Sequence, residues 1–134
     1  MLSFRELTAE KVPFRSDIQY GIMVETPAAA VMSDVLAEEV DFFSIGTNDL
    51  TQYTMAADRM NAQVSDLFDP ADPAVLRLIE LTAKNAHAAG IWVGICGESA
   101  ANTALTDFYM SVGIDELSVS PASVPAVKRA IIKC

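Results

Sequence analysis

Asp41-Phe42-Phe43-Ser44-Ile45-Gly46-Thr47-Asn48-Asp49-Leu50-Thr51-Gln52-Tyr53 joins an apolar, β-forming run to a cluster of amide, carboxylate and hydroxyl groups. In parallel α/β folds, ligands bind just beyond the carboxyl ends of the strands, where loop groups converge and helix amino termini favour anions. Asn48 and Asp49 occupy that place. Taken alone, the pair fits equally well a turn that caps a helix, because both side chains bond nearby backbone donors.

Working outward, Gly21-Ile22-Met23-Val24-Glu25-Thr26-Pro27 is an apolar run that stops at a carboxylate, and Ile91-Trp92-Val93-Gly94-Ile95-Cys96-Gly97-Glu98 is one that stops at a thiol. A fourth run, Leu117-Ser118-Val119-Ser120-Pro121, ends in a hydroxyl and a proline. Each is short, rich in β-formers and followed by a helical pattern, so repeated βα units feeding one parallel sheet are expected, with the strand ends pointing the same way. The separations are 24 positions from Glu25 to Asp49, 47 from Asp49 to Cys96 and 24 from Cys96 to Ser120. Two short units therefore flank one enlarged unit, whose surplus is a polar loop between Leu50 and Asp69 with Arg59 as its only cation. Long loops in compact domains tend to carry function.

The helices follow from periodicity and capping. Asp72 caps a helix with Pro73 at its first position and Gly90 at its end, and apolar residues recur at 75, 76, 79, 83 and 86. A first helix is expected from Thr26 to about Glu39, with Val31, Met32, Val35 and Leu36 on one stripe. Another is expected from about Ala100 to Val112, stopping at Gly113, and a last from about Ser123 to Lys133 with Pro125 in its first turn. Phe4 to Lys11 reads as the tail of an earlier helix, followed by a loop at Pro13.

Composition narrows the function. The 134 residues are 51% hydrophobic, enough for one globular unit. No apolar run approaches the roughly 18 residues of a membrane span, and Met1-Leu2-Ser3-Phe4-Arg5-Glu6 lacks the apolar core of a signal peptide, so a cytoplasmic protein is expected. A net charge of −9 argues against nucleic acid and anionic membrane surfaces as partners. Cys96 and Cys134 have no metal-ligand spacing and make a disulfide framework unlikely on arithmetic alone. The single histidine, His87, falls in the last turn of its helix, where the dipole favours positive charge and a local structural role is expected. GxGxxG, P-loop and GxSxG patterns are absent.

The runs Gly21 to Ala29 and Asp41 to Tyr53, the pair Asp58-Arg59, and the run Gly94 to Glu98 together resemble, in order and over essentially the whole chain, the signatures of the phosphoenolpyruvate-utilising enzymes. Gln52-Tyr53, and Asp58-Arg59 followed by Asn61, favour the branch that phosphorylates a protein in bacterial sugar uptake over pyruvate phosphate dikinase and phosphoenolpyruvate synthase. The resemblance implies a (β/α)8 barrel of which this chain, 1–134, is a single partial domain. It would be the C-terminal half, strands five to eight, without the first four strands, their arginines, or the domain that carries the acceptor histidine. Carried over residue by residue, Glu25 and Asp49 are the Mg²⁺ ligands, Asn48 and Arg59 hold the phosphoryl group beside Asp49, and Cys96 protonates the methylene carbon of enolpyruvate. A thiol is mostly protonated at neutral pH, which suits an acid. Without the family, Cys96 fits equally a small buried strand residue, and Arg59 a solvated loop cation.

The implied partners are phosphoenolpyruvate and pyruvate, and a phosphocarrier protein reached through the longer enzyme. The chain alone is expected not to turn over. Half a barrel leaves two sheet edges open, so two copies are expected to associate as a homodimer. The rival readings are a dikinase-type fragment and a non-catalytic half-barrel interaction module. The chain departs from the family pattern in two places: Met60 stands where glycine is usual, and the run Ser99-Ala100-Ala101-Asn102 replaces the more usual Leu-Ala-Gly-Asp.

Overall fold

Alternation along three of the four apolar runs decides the architecture, since side chains of a strand point to opposite faces in turn. In the computed structural model, which describes residues 4–134, they form β1 (Gly21–Val24), β2 (Phe42–Gly46) and β3 (Trp92–Cys96). The opening Met1-Leu2-Ser3, part of the stretch read for a signal peptide, lies outside the described residues. With β4 (Glu116–Leu117) they make one sheet of four strands in the order β1-β2-β3-β4, every neighbouring pair parallel. Strands alternate with helices, an α/β arrangement consistent with part of a barrel.

Val24, Phe43, Ile45, Val93 and Ile95 are fully buried and share one core with Val75, Ile79, Ala83 and Ala86 of the longest helix. The opposite face is less covered: Met23 is half exposed, and Phe42 and Trp92 are only partly buried although their rings stack at 4.3 Å. Register makes layers on that face, with Gly21, Phe42 and Trp92 side by side, then Met23, Ser44 and Gly94, then Gly46 beside Cys96.

The helices are α1 (Phe4–Ala9), α2 (Pro27–Val31), α3 (Ser33–Leu36), α4 (Thr47–Met55), α5 (Pro73–Ala88), α6 (Thr106–Ser111) and α7 (Val124–Ile131). The expected ends of α5 are as read: the Asp72 carboxylate accepts from the Ala74 N–H at 2.7 Å, and Gly90 takes φ 77°. Such a cap contributes about 1 kcal/mol. His87, in the last turn, lies 3.1 Å from Asp115, whose carboxylate also accepts from the Val93 N–H at 2.9 Å. That is the local structural role expected of it.

Three expectations are corrected. The single helix from Thr26 to Glu39 is instead α2, α3 and a 3-10 turn over Ala37–Glu39, and its buried positions are Ala30, Ser33 and Ala37, while Val31, Met32 and Val35 are exposed. Small residues let this segment sit close on α5, where Asn85 Nδ2 donates to Ser33 Oγ at 2.9 Å. The helix from Ala100 is α6 alone, preceded by a 3-10 turn over Glu98–Ala101. Between them the Asn102 side chain accepts from the Ala104 N–H, closing a local turn in place of helix. The fourth strand is two residues long, so Ser120 lies beyond it, although the Ser118 N–H still donates to the Ile95 carbonyl at 2.9 Å.

A buried chain of hydroxyls stitches these parts under the strand ends. Tyr109 Oη donates to Ser99 Oγ at 2.9 Å, Ser99 Oγ to Thr47 Oγ1 at 2.7 Å, and Thr47 Oγ1 to the Cys96 carbonyl at 3.0 Å. Ser99, one of the two departures from the family pattern, is thus a connector in this chain. Burial raises the Tyr109 phenol above its ordinary 10.0. The neutral phenol is the form the fold favours, so its contribution is complete below pH 10.0 and is lost as pH rises through the higher folded value. Tyr109→Phe should lower stability by about 1–2 kcal/mol in denaturant unfolding at neutral pH and should weaken the alkaline fall in melting temperature; an unchanged midpoint would show that the chain adds nothing to stability.

Candidate functional site

Glu25 follows β1, and Thr26 begins α2 by accepting from the Ala29 N–H at 3.1 Å, so the carboxylate sits at the strand end and not inside the helix. One strand over, Gly46 admits it: a Cβ there would lie 2.8 Å from Glu25 Oε2 and 3.2 Å from Met23 Sδ. A side chain at this point would push the Glu25 carboxylate and the Met23 thioether aside.

Asn48 and Asp49 fall in the first turn of α4, where unpaired backbone N–H groups favour negative charge. Neither is the local cap that a turn would need, for the helix has no side-chain cap bond. Asn48 Oδ1 instead reaches across to accept from the Glu98 N–H at 3.1 Å. With its oxygen so engaged, Nδ2 offers donors, the polarity an anion requires. Asp49 Oδ1 lies 3.7 Å from Arg59 Nη2, both side chains 38% exposed. A pair so open to water is worth less than about 1 kcal/mol, so it positions more than it stabilises.

Arg59 comes back over α4 because the helix ends on Ala56 in the left-handed region, φ 51° and ψ 34°. Three residues on from Asp49, the Gln52 side chain accepts from the Arg59 N–H at 3.3 Å, so one face of α4 holds both the head and the backbone of Arg59. Met60, the other departure from the family pattern, is 85% exposed, and its N–H donates to Asp58 Oδ1 at 2.9 Å. Among the described residues, Lys11 and Ala56 are the non-glycines with positive φ, so the backbone at Met60 does not call for glycine.

Cys96 ends β3 opposite Gly46 and is partly buried. Its Sγ lies 3.4 Å from Ser44 Oγ and 3.3 Å from Met23 Sδ. Gly97 follows with φ 106°, and a Cβ there would meet Thr47 Oγ1 at 2.6 Å. The chain turns at that point beneath Asn48.

One hollow of about 140 Å³ gathers Glu25, Asn48, Asp49, Arg59 and Cys96, with Met23, Gly46 and Gly97 completing its wall. All five residues singled out from the sequence meet there. Met23, Gly46 and Gly97 were not singled out; counting alternate positions back from the strand end would have placed Met23 on the site face. Ser120 lies elsewhere, in a neighbouring hollow of about 370 Å³ that shares Asn48 and Gly97 with the first. Two carboxylates, one guanidinium, one amide and one thiol in one small space suit an anionic ligand that brings a hard cation with it. Among the described residues no group of three or more His, Cys, Asp and Glu forms a complete metal cage, and no helix is long and apolar enough to cross a membrane.

Comparison with known proteins places the chain in a family. The chain is 56% identical over 119 residues to a phosphoenolpyruvate-protein phosphotransferase of Lactococcus lactis subsp. lactis, covering 89% of this chain and 21% of the relative. It is 57% identical over 118 residues to that of Streptococcus equinus, covering 88% and 20%. To that of Buchnera aphidicola subsp. Baizongia pistaciae it is 48% identical over 122 residues, covering 91% and 21%. The chain thus spans about a fifth of the length of the curated relatives it matches. Residues 3–134 match the family described as PEP-utilising enzyme, PEP-binding domain; the chain belongs to that family.

Proposed function

We propose that this chain supplies strands five to eight, the C-terminal half, of the (β/α)8 phosphoenolpyruvate-binding barrel of a cytoplasmic phosphoenolpyruvate-protein phosphotransferase. The observation that carries this reading is the meeting of Glu25, Asn48, Asp49, Arg59 and Cys96 in one hollow at the carboxyl ends of parallel strands. High identity to phosphotransferases over about nine tenths of the chain favours it over a dikinase-type enzyme.

Glu25 and Asp49 would hold Mg²⁺. That ion takes one or two carboxylates and fills its other positions with water and substrate phosphate oxygens, so a pair of carboxylates beside open space fits it and a larger cage is not required. When bound, the ion offsets the charge of the phosphate and of the carboxylates around it. The residues themselves explain why it is needed. Two carboxylates outweigh the single Arg59, so the hollow by itself repels a phosphorylated acid. Asn48 Nδ2 donates to the phosphoryl oxygens, and Arg59 adds charge-assisted donors. Cys96 supplies the proton that completes pyruvate: its S–H bond breaks, a C–H bond forms at the methylene carbon from the enolate electron pair, and the sulfur is left as thiolate. The phosphoryl group goes to a histidine outside this chain and from there to a phosphocarrier protein.

The sheet has two open edges, β1 and β4, and a face with half-exposed Met23. In a longer protein further strands would cover them. In the 134-residue chain by itself we expect two copies to associate about a two-fold axis.

Titrated calorimetrically with phosphoenolpyruvate, the chain should bind only when Mg²⁺ is present, and Asp49→Ala should abolish the heat; equal binding with and without Mg²⁺ would refute the two-carboxylate assignment. Incubated with ³²P-phosphoenolpyruvate and a phosphocarrier protein, the chain should transfer no label, and labelled carrier would show that the missing segments are dispensable. Sedimentation at tens of micromolar should give a dimer, and a sharp monomer boundary would dispose of self-association.

A further inference from the structure

Cys96 does not sit alone at its strand end. Ser44, on the same face of the adjacent strand, places Oγ 3.4 Å from the sulfur as a donor. From β1, beyond β2, Met23 Sδ lies 3.3 Å away as an acceptor for the S–H, with the Ile45 carbonyl at 3.5 Å as an alternative. Met23 also reaches toward Gly46 at the floor of the hollow. The side-chain contacts come from neighbouring strands whose register is fixed: Met23 pairs with Ser44, and Gly46 with Cys96.

We propose that Ser44 and Met23 are positioning residues for proton transfer by Cys96, Met23 orienting the S–H before transfer and Ser44 stabilising the thiolate that transfer leaves. This rests on the reading of Cys96 as the acid that protonates enolpyruvate. The two contacts have opposite senses. A thioether only accepts, so it favours the protonated sulfur. A hydroxyl that donates favours the deprotonated one. The Ser44 contact strengthens as charge builds on sulfur, so it acts more on the transition state and the product than on the resting thiol. In the reverse direction the same hydroxyl holds the thiolate that would take a proton from the pyruvate methyl group. Each proton that leaves sulfur appears on carbon, and solvent returns the next one.

The test uses the 134-residue chain with Cys134→Ser, so that Cys96 is the single thiol, and follows its alkylation by iodoacetamide at pH 7 without substrate. Ser44→Ala should slow alkylation about three- to tenfold, because a hydrogen bond to a charged sulfur is lost. Ser44→Thr, which keeps the hydroxyl, should restore the rate. Met23→Leu, which keeps the bulk and removes the acceptor, should not slow it. Equal rates for Ser44→Ala and its parent would overturn the proposal, as would slowing by Met23→Leu, since both changes would then act through packing. Circular dichroism checks that each variant folds. Should Ser44→Ala fail to fold, the infrared S–H stretching band of the folded parent decides: a band displaced from its position in urea supports the oriented thiol, and coincident bands overturn it. Alkylation reads the contact itself, so it fails independently of the calorimetric titration that tests the site.

Discussion

The pairing of β2 with β3, which sets Gly46 beside Cys96, is the constraint on which the rest depends. A parallel pair brings two carboxyl ends to the same level, and the chain leaving each end must then find partners there. Asn48 takes the Glu98 N–H, Thr47 takes Ser99 as donor and gives to the Cys96 carbonyl, and Gly97 turns in the space that glycine alone leaves. A shift of one residue in that register would turn one of the two strands over, taking Ser44 into the core and Phe43 and Ile45 out of it, or Cys96 into the core and Val93 and Ile95 out of it. Apolar burial therefore protects the chemistry: Phe43, Ile45, Val93 and Ile95 have no exposed surface, and their placement dictates which residues face the hollow.

Much of this was legible in the sequence. The strands at 21–24, 42–46 and 92–96 follow from short β-forming runs, and α5 from its aspartate, proline and glycine punctuation. Glu25, Asn48, Asp49 and Cys96 stood out because their apolar runs stop abruptly at polar groups, whereas Arg59, a cation in a long loop, was marked by resemblance to the family. What the sequence concealed has physical causes. Of the stripe Val31, Met32, Val35 and Leu36 only Leu36 packs against the core, and the segment is buried through Ala30, Ser33 and Ala37, because close approach to α5 favours small side chains over large ones. The end of the fourth run is polar and lies at a sheet edge, where little holds it in the ladder beyond Leu117. The contacts across the site escaped notice because they join residues about 50 apart, as Asn48 joins Glu98 and Ser44 joins Cys96.

The two departures from the family pattern divide the same way. Met60 is a surface residue whose backbone needs no special conformation, and its neighbour Asp58 closes the turn with its own carboxylate. Ser99 is nearly buried and takes part in a chain of hydroxyls that ends on the carbonyl of Cys96. Met60 sits in ordinary backbone at the surface, and Ser99 is part of the support beneath the site. Family patterns at single positions thus say less than the hydrogen bonds they leave to be satisfied.

The Asp49–Arg59 contact has a thermodynamic corollary. On the proposed assignment the carboxylate is wanted by the metal ion and the guanidinium by the phosphoryl group, but without ligand each is occupied by the other. An ion that claims Asp49 releases Arg59, and an anion that claims Arg59 releases Asp49. Either ligand dissolves the same internal pair, so the second to arrive finds that separation already made. Metal and substrate would then bind with positive, reciprocal cooperativity, a linkage that needs no movement of the backbone.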